Sequence, residues 1–359
     1  MENTDKNPLV GMNEEEMVSH KKHLIGMNEE DLVSLVRELG FRDFHGRQLH
    51  RWIYHKYAGT LDEMTDLPLS LRRTLGSSYR LDLFEPVRKA ESSHGDAVKY
   101  VFRTLDDIEI ENVVLVDSRG RRSFCISSQA GCSVGCIYCA TGRAGFERDL
   151  SADEIVGEVL SLVKLSGRPQ SILFMGMGEP LLNLKALFRS LSLLREIGYG
   201  SRHITVSTCG IVRGIRALAD TDLRPRLALS LGSPIEAKRQ RIIPAARSNP
   251  IGPLKNAIMD YRRRTGRRVT IEYTLMRGIN DSYEDAQALA EFARSAGTHI
   301  NLIEFNPAGD PEISAPVSGE VRRFRELLTE SGVRVTQRYR RGRDISAACG
   351  QLVYSKKPL

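Results

Sequence analysis

The chain has 359 residues, enough to bury a full-sized core in one large domain with a small one beside it. Its 52 Lys and Arg residues outnumber its 45 Asp and Glu, and a net charge of +7 favours a polyanionic partner such as nucleic acid, although a basic face can also be only a solvated surface. Six cysteines, three of them clustered, argue against a disulfide framework. The sequence shows no apolar core of a signal peptide and no run of about 18 apolar residues, so we expect a cytoplasmic protein with no membrane partner.

The N-terminal part is predicted to be helical. We expect residues 1–24 to form a disordered tail and residues 25–80 to form a helical accessory domain, because Leu32 and Val36 repeat at helical spacing. Basic residues surround Trp52 on the second helix, which is typical of an RNA-binding surface. The alternative is that Trp52 belongs to the core and that the charges only solvate the outer face.

Apolar and polar residues alternate in the next stretch, around residues 97–102 and 108–116. We therefore predict that residues 81–117 form a β-hairpin linker. This linker carries Glu111, and the alternation of Glu109 and Glu111 is also what the solvent face of a hairpin would give.

Strand and helix patterns alternate from residue 118 to residue 345. Strands are predicted near residues 123–128, 171–176, 203–208, 226–231, 268–276 and 299–306. A capping box at Ser151 begins one helix, and others are predicted near residues 183–196, 234–243, 253–265, 282–296 and 319–331. The pattern predicts an α/β fold: a partial (β/α)6 TIM-like barrel with a small N-terminal helical domain. Residues 346–359 follow as a C-terminal segment that carries Cys349.

Three cysteines stand at CxxxCxxC spacing: Cys132, Cys136 and Cys139. Three thiolates on one loop can hold three corners of a [4Fe–4S] cluster and leave the fourth iron open. The alternatives are a zinc knuckle, which needs a fourth Cys or His at short spacing, and three unrelated buried thiols. With Tyr138 before the last cysteine, the loop resembles the signature of radical S-adenosylmethionine enzymes, in which the open iron binds S-adenosylmethionine.

The chemistry of such a barrel lies at the carboxyl ends of its strands, where several polar and glycine residues fall. Gly178 and Glu179 follow the second strand and resemble the motif that holds the methionyl ammonium group in radical S-adenosylmethionine enzymes. Each residue could equally be an ordinary turn residue. The full predicted cofactor-binding set is Gly178, Glu179, Ser207, Ser230, Leu231, Gly232 and Asn306.

Three longer motifs sharpen the resemblance: residues 124–132, 174–183 and 344–352. They resemble the RlmN/Cfr family of radical-SAM RNA adenine methyltransferases, and the similarity runs from about residue 29 to residue 353. Gly232 departs from this family, which usually has His there, and this puts the RNA target and the methylated atom in question.

The resemblance implies a mechanism. Cys349 would carry a methyl group taken from one S-adenosylmethionine, and a second S-adenosylmethionine, cleaved at the cluster, would activate that group for addition to the base. Glu111 would act as the base, and Cys125 would resolve the RNA–protein adduct by forming a disulfide with Cys349. The cofactors implied are the [4Fe–4S] cluster on Cys132, Cys136 and Cys139 and S-adenosylmethionine.

The expected activity is methylation of C2 of an adenosine in large-subunit ribosomal RNA, with transfer RNA as a further substrate. The expected partners are RNA and a flavodoxin- or ferredoxin-type electron donor, with the enzyme a monomer. A paralogue that methylates C8 or another RNA is the alternative enzyme. A non-catalytic RNA-binding protein with a structural metal is the alternative of another class.

We also expect Arg338, Arg340, Arg341 and Arg343 to form a basic rim, together with Arg47, Arg51 and Lys56.

Overall fold

A computed structural model describes residues 21–307, 312–337, 341–353 and 355–356. Residues 1–20 of the predicted disordered tail lie outside the described residues. The remainder of that prediction is wrong: strand β1 (Lys22–His23) pairs in parallel with β2 (Tyr79–Arg80), and Leu24 is fully buried. The apolar pair that begins at Leu24 packs into the core, so the ordered chain starts before residue 25.

The chain divides into two compact units, residues 1–83 and 84–359. From residue 21 onwards the first unit contains three α-helices: α1 (Glu29–Glu38), α2 (Asp43–Tyr54) and α3 (Leu69–Ser78). The side chain of Asn28 accepts the backbone N–H of Asp31 at 2.7 Å and so begins α1 with a capping box. The predicted apolar face of α1 is buried.

The outer surface of α2 contains the only tryptophan. Trp52 is partly exposed, its indole N–H donates to Asp66, and the Lys56 ammonium lies 3.3 Å from its ring centroid. An ammonium over an indole ring is a cation–π contact. His50 is buried next to Tyr54, so its ring does not belong to this surface.

The second unit is built on one long sheet. Seven of its strands are parallel and adjacent: β6 (Arg122–Ile126), β9 (Ser171–Phe174), β10 (Ile204–Thr208), β11 (Arg226–Ser230), β12 (Val269–Leu275), β13 (His299–Glu304) and β14 (Val335–Gln337). The first six are the predicted barrel strands, and the predicted partial barrel is confirmed. The short strand β14 was not predicted.

Helices connect these strands. They are α4 (Ala140–Ala144), α5 (Ala152–Ser166), α6 (Leu184–Glu196), α7 (Val212–Ala219), α8 (Glu236–Ile242), α9 (Ile251–Thr265), α10 (Tyr283–Ala296) and α11 (Ser318–Glu330). Ser151 caps α5 as the sequence predicted. Helix α7 was missed because it has only eight residues, although Ile215 and Leu218 give it a buried face. No helix among the described residues is both long and apolar enough to cross a bilayer.

The predicted linker at residues 81–117 belongs instead to the main sheet. Strands β3 (Pro86–Glu91), β4 (Ala97–Arg103) and β5 (Ile108–Val116) extend the barrel sheet in antiparallel order beyond β6. Val113 of β5 pairs with Cys125 of β6. The pairing with β6 places β5 inside the sheet, so the hairpin forms a wall of the barrel.

Candidate active site

A cavity of about 310 Å³ lies at the carboxyl ends of the barrel strands. It gathers predicted residues from distant parts of the sequence: Cys125, Cys132, Cys136, Cys139, Gly178, Glu179, Ser207, Ser230, Asn306 and Cys349. Parallel strands bring their carboxyl ends to one side of a barrel, which explains how stretches so far apart in sequence meet. None of the six cysteines, all of which lie among the described residues, forms a disulfide.

The cysteine loop is held at both ends by backbone hydrogen bonds. A short hairpin of β7 (Gln129–Gly131) and β8 (Phe146–Asp149) encloses it. The N–H of Cys132 donates to the carbonyl of Gly145 at 2.7 Å, and the N–H of Ile137 donates to the carbonyl of Ile242 at 3.1 Å. The loop is therefore fixed both to its own hairpin and to the last turn of α8.

The residues present fit a three-cysteine cluster. Cys132, Cys136 and Cys139 line one cavity, which is the donor set for a cubane with one open iron. Burial raises the pKa of the free Cys132 thiol to about 12, and metal binding is what deprotonates such a thiol. Among the described residues, no group of three or more His, Cys, Asp and Glu side chains converges as ligands of one metal ion. Each thiolate of a cubane binds a different iron, so a cluster does not require such convergence.

Glu179 stands at the end of the loop after β9, buried in the cavity wall. Its carboxylate accepts the backbone N–H of Cys209 at 2.7 Å and that of Leu181 at 3.1 Å. Desolvation raises the pKa of this carboxyl, while the hydrogen bonds lower it. Glu179 thus places a carboxylate at the cavity and ties the end of β9 to the end of β10.

The glycines before Glu179 are required by close contact within the protein. A Cβ at Gly176 would lie 2.6 Å from the carbonyl oxygen of Ile126, and one at Gly178 would lie 2.5 Å from Cβ of Gln129. Gly178 also has a φ of +94°, which disfavours other residues. Both glycines are therefore needed for packing of this loop against β6 and β7, whether or not Gly178 also contacts a cofactor as the motif predicts.

Three polar side chains at other strand ends also reach the cavity. Ser207 and Ser230 lie at the ends of β10 and β11, and both are half-buried. The Oδ1 atom of Asn306 is buried and has no hydrogen-bond partner, while its Nδ2 donates weakly to the carbonyl of Cys349 at 3.4 Å. A buried amide oxygen without a donor fits a site in which a bound polar molecule supplies one.

Leu231 and Gly232 differ from the prediction, because their side-chain positions do not face the cavity. Leu231 is fully buried in the core. Gly232 has a φ of +71°, its carbonyl accepts Nδ2 of Asn280 at 2.8 Å, and a Cβ there would lie 2.9 Å from Ile243. A side chain at position 232 would therefore point at the residues that end α8.

Cys349 is exposed on a segment that packs directly against the cysteine loop. The N–H of Ala140 donates to the carbonyl of Gly350 at 2.7 Å, and the hydroxyl of Thr141 donates to the carbonyl of Leu352 at 2.6 Å. Cys125, buried on β6, lines the same cavity as Cys349. No disulfide joins them, so the structure does not support a standing disulfide as part of the fold.

Glu111 is buried on β5, and the alternative that it lies on a solvent face is wrong. It shares one face of the strand with Val113, which lines the cavity. Its carboxylate pairs with the ammonium of Lys99 at 2.9 Å and accepts the N–H of Val353 at 3.1 Å. Glu111 does not itself line the cavity but contacts the segment that carries Cys349.

Several residues of the cavity wall were not predicted. Among them are Glu272, Thr274, Ile303 and Phe305. Glu272 is buried on β12 and accepts Nδ2 of Asn301 at 2.9 Å. These residues have no motif spacing, and only their positions at strand ends could have indicated them.

Comparisons with known proteins identify the family of this chain. Residues 126–293 match the model of the radical SAM superfamily, and residues 22–80 match the model of the ribosomal RNA large subunit methyltransferase N-terminal domain. A crystal structure of a radical SAM methyltransferase from Sphaerobacter thermophilus is similar with a TM-score of 0.88 and 39% identity, covering 92% of this chain and 99% of that one.

Curated relatives cover most of both sequences. The probable dual-specificity RNA methyltransferase RlmN of Thermus thermophilus is 40% identical over 326 residues, 89% of this chain and 91% of its own length. The dual-specificity RNA methyltransferase RlmN of Anaeromyxobacter dehalogenans is 39% identical over 90% of each chain. The ribosomal RNA large subunit methyltransferase N of Nitrosopumilus maritimus is 37% identical over 89% of this chain and 94% of its own. The chain therefore belongs to the RlmN family of radical-SAM RNA methyltransferases.

Proposed function

We propose that this enzyme methylates C2 of an adenosine in large-subunit ribosomal RNA and in transfer RNA, with a methyl group carried on Cys349. The observation that carries this proposal is the attachment of the Cys349 segment to the cysteine loop through Ala140 and Thr141. The names of the relatives support an RNA substrate, one of them specifying the large ribosomal subunit.

The cavity residues divide between two bound groups. Cys132, Cys136 and Cys139 would hold the [4Fe–4S] cluster, and Glu179, Ser207, Ser230 and Asn306 offer polar groups to S-adenosylmethionine. When bound, these two groups supply the carbon-centred radical that a reaction at adenine C2 needs, since this carbon is electrophilic and does not accept a methyl cation.

Cys349 and Cys125 perform complementary steps. The Cys349 sulfur first takes a methyl group. Once activated, its carbon would bond to adenine C2, and loss of one electron back to the oxidised cluster and of the C2 proton would leave an RNA–protein thioether. The Cys125 thiolate would then attack the Cys349 sulfur, an S–S bond would form, and the S–C bond would break with its electron pair left on the carbon of the modified base, which takes a proton from solvent and becomes the methyl group. A cellular thiol reductant returns the disulfide to two thiols. Their presence in one cavity supports this exchange.

Glu111 takes the proton lost from C2 in this scheme. Its neighbours hold it in position, because Lys99 and the N–H of Val353 both bind its carboxylate. Val353 lies four residues after Cys349, so the base and the methyl carrier are fixed by the same segment.

We expect Glu111→Gln to lower product formation by about 10²–10⁴-fold, the usual contribution of a general base, without preventing cleavage of S-adenosylmethionine. The amide keeps the shape and a hydrogen-bond acceptor for Val353 but cannot take a proton. Product formation and 5′-deoxyadenosine are measured in the same reaction. Glu109→Gln is the matched control, since Glu109 is buried on the same strand against Arg88 and Arg103. Equal losses in both variants would assign Glu111 a structural role.

RNA must meet a basic surface to reach the cavity. Arg341 lines the cavity and Arg343 is exposed, whereas Arg338 and Arg340 lie outside the described residues. In the first unit, Trp52 with Lys56 offers a partly exposed aromatic and basic surface. These residues support RNA as the substrate.

Analysis of the product nucleoside tests the proposed function. RNA treated with enzyme, S-adenosylmethionine and a low-potential reductant is digested and compared with authentic 2-methyladenosine and 8-methyladenosine. We expect 2-methyladenosine. Gly232 was the reason to consider C8, and its side-chain position points away from the cavity. An 8-methyladenosine product, or no methyladenosine from ribosomal or transfer RNA, would overturn the substrate assignment.

A further inference from the structure

Helix α8 carries a fully buried arginine behind the cysteine loop. Arg239 has an exposed fraction of 0% and is among the largest side chains that are buried completely. A guanidinium is charged at all relevant pH values, and burial of a charge is costly unless something nearby benefits from it. The position of this cation therefore calls for a functional explanation.

The hydrogen bonds of Arg239 are to neutral backbone groups. Its Nη2 donates to the carbonyl of Cys209 at 2.9 Å, and its Nη1 donates to the carbonyl of Asn249 at 2.6 Å. Its Nε is buried without a partner, and among the described residues no carboxylate forms an ion pair with it. The positive charge is fixed in place but is not neutralised by a directly bound anion.

The same helix contacts the cysteine loop. The carbonyl of Ile242, three residues after Arg239 and on the same side of α8, accepts the N–H of Ile137 between Cys136 and Tyr138. Cys209, whose carbonyl Arg239 binds, lines the cavity together with the three cluster cysteines. Two independent contacts thus connect Arg239 to the wall behind the proposed cluster.

The electrostatic neighbours of Arg239 agree with these contacts. Burial lowers the pKa of its guanidinium, and electrostatic interaction with Cys209, Glu236, Tyr138 and Cys136 acts in the opposite direction. Glu236, one turn earlier on α8, binds the N–H of Ile251 and a side-chain amide of Gln240. Cys136 is the one proposed cluster ligand in this group, and it precedes Ile137, whose N–H binds the carbonyl of Ile242 on the same helix as Arg239.

We propose that Arg239 is a positioning residue that tunes the proposed cluster, with its buried charge favouring the reduced state and raising the reduction potential. This inference rests on the proposed function, in which Cys132, Cys136 and Cys139 hold the cluster. A one-electron donor of the flavodoxin or ferredoxin class supplies the electron, no proton is taken up, and the cluster gains one negative charge. A fixed cation in a medium of low dielectric constant stabilises that charge.

The test is a redox titration of the reconstituted holoenzyme, followed by electron paramagnetic resonance of the reduced cluster. We expect Arg239→Gln to disfavour reduction about tenfold, which is a potential lower by about 59 mV for a one-electron couple. Arg239→Lys keeps the charge and should stay near the wild-type potential. Arg241→Gln removes the same charge from an exposed position on the same helix and should not shift it.

Arg239→Met provides a second neutral variant with a long side chain to fill the buried space, in case the glutamine variant does not fold. A wild-type reduction potential in the folded neutral variants would overturn the inference. A shift in Arg239→Lys as large as that in Arg239→Gln would also overturn it, because it would show that hydrogen bonding rather than charge is responsible. If the wild-type protein takes up no cluster at all, the proposed function fails together with this inference. The wild-type spectrum therefore separates the two failures.

Discussion

Replacing Cys136 with Ala is expected to reduce cleavage of S-adenosylmethionine to the background level. Cys136 is the middle ligand of the cysteine loop and is buried in the cavity, so its loss removes one corner of the proposed cluster. Two cysteines of the same loop cannot hold the cubane with one open iron. The anaerobically reconstituted variant should lose its iron, its visible absorbance and the formation of 5′-deoxyadenosine.

Cys209→Ala is the matched control for this loss. Cys209 is also a buried thiol of the cavity wall, but it stands outside the CxxxCxxC spacing, so the variant should keep its iron and its absorbance. Cys132→Ala and Cys139→Ala should behave like Cys136→Ala. A wild-type protein that retains stoichiometric zinc and no iron after anaerobic reconstitution would contradict the cluster assignment.

The two other cavity thiols should fail at different steps. Cys349→Ala lacks the methyl carrier and should form no methylated RNA and no adduct, although its cluster remains. Cys125→Ala keeps the carrier but cannot attack the Cys349 sulfur, so it should accumulate RNA bound covalently to protein. A denaturing gel with labelled RNA, run beside intact-protein mass spectrometry, distinguishes the two variants.

The double variant gives the order of these steps. Cys125→Ala combined with Cys349→Ala should resemble Cys349→Ala alone, because no adduct forms without the carrier. If either single variant methylates RNA at the wild-type rate, the proposed exchange between these thiols is wrong. Loss of iron in either variant would instead assign that thiol to the structure of the site.

The barrel could be predicted because its signals are local. Alternating strand and helix patterns, and caps such as Ser151, depend on residues close in sequence. The cysteine spacing located the centre of the site for the same reason. In a barrel of parallel strands the carboxyl ends lie on one side, so Glu179, Ser207, Ser230 and Asn306 could be predicted to share one cavity before their contacts were known.

The remaining features depend on contacts between distant segments. The surroundings of Glu111 could not be predicted, because Val353 reaches it from 242 residues away. The side chain of Leu231 is buried in the core, since sequence adjacency to Ser230 does not tell which way a side chain points at a strand end, and its part in cofactor binding stays a prediction. Arg239 gave no sequence signal, because a charged residue on an amphipathic helix is normally exposed.

The number of deuterium atoms in the product methyl group distinguishes radical transfer through Cys349 from direct methyl transfer. With S-adenosylmethionine labelled as a trideuteromethyl donor, the group on Cys349 starts with three deuterium atoms and loses one to the 5′-deoxyadenosyl radical. We expect 2-methyladenosine with two deuterium atoms in its methyl group and one deuterium in 5′-deoxyadenosine. A product that retains all three deuterium atoms would mean direct methyl transfer and would contradict the radical mechanism through Cys349.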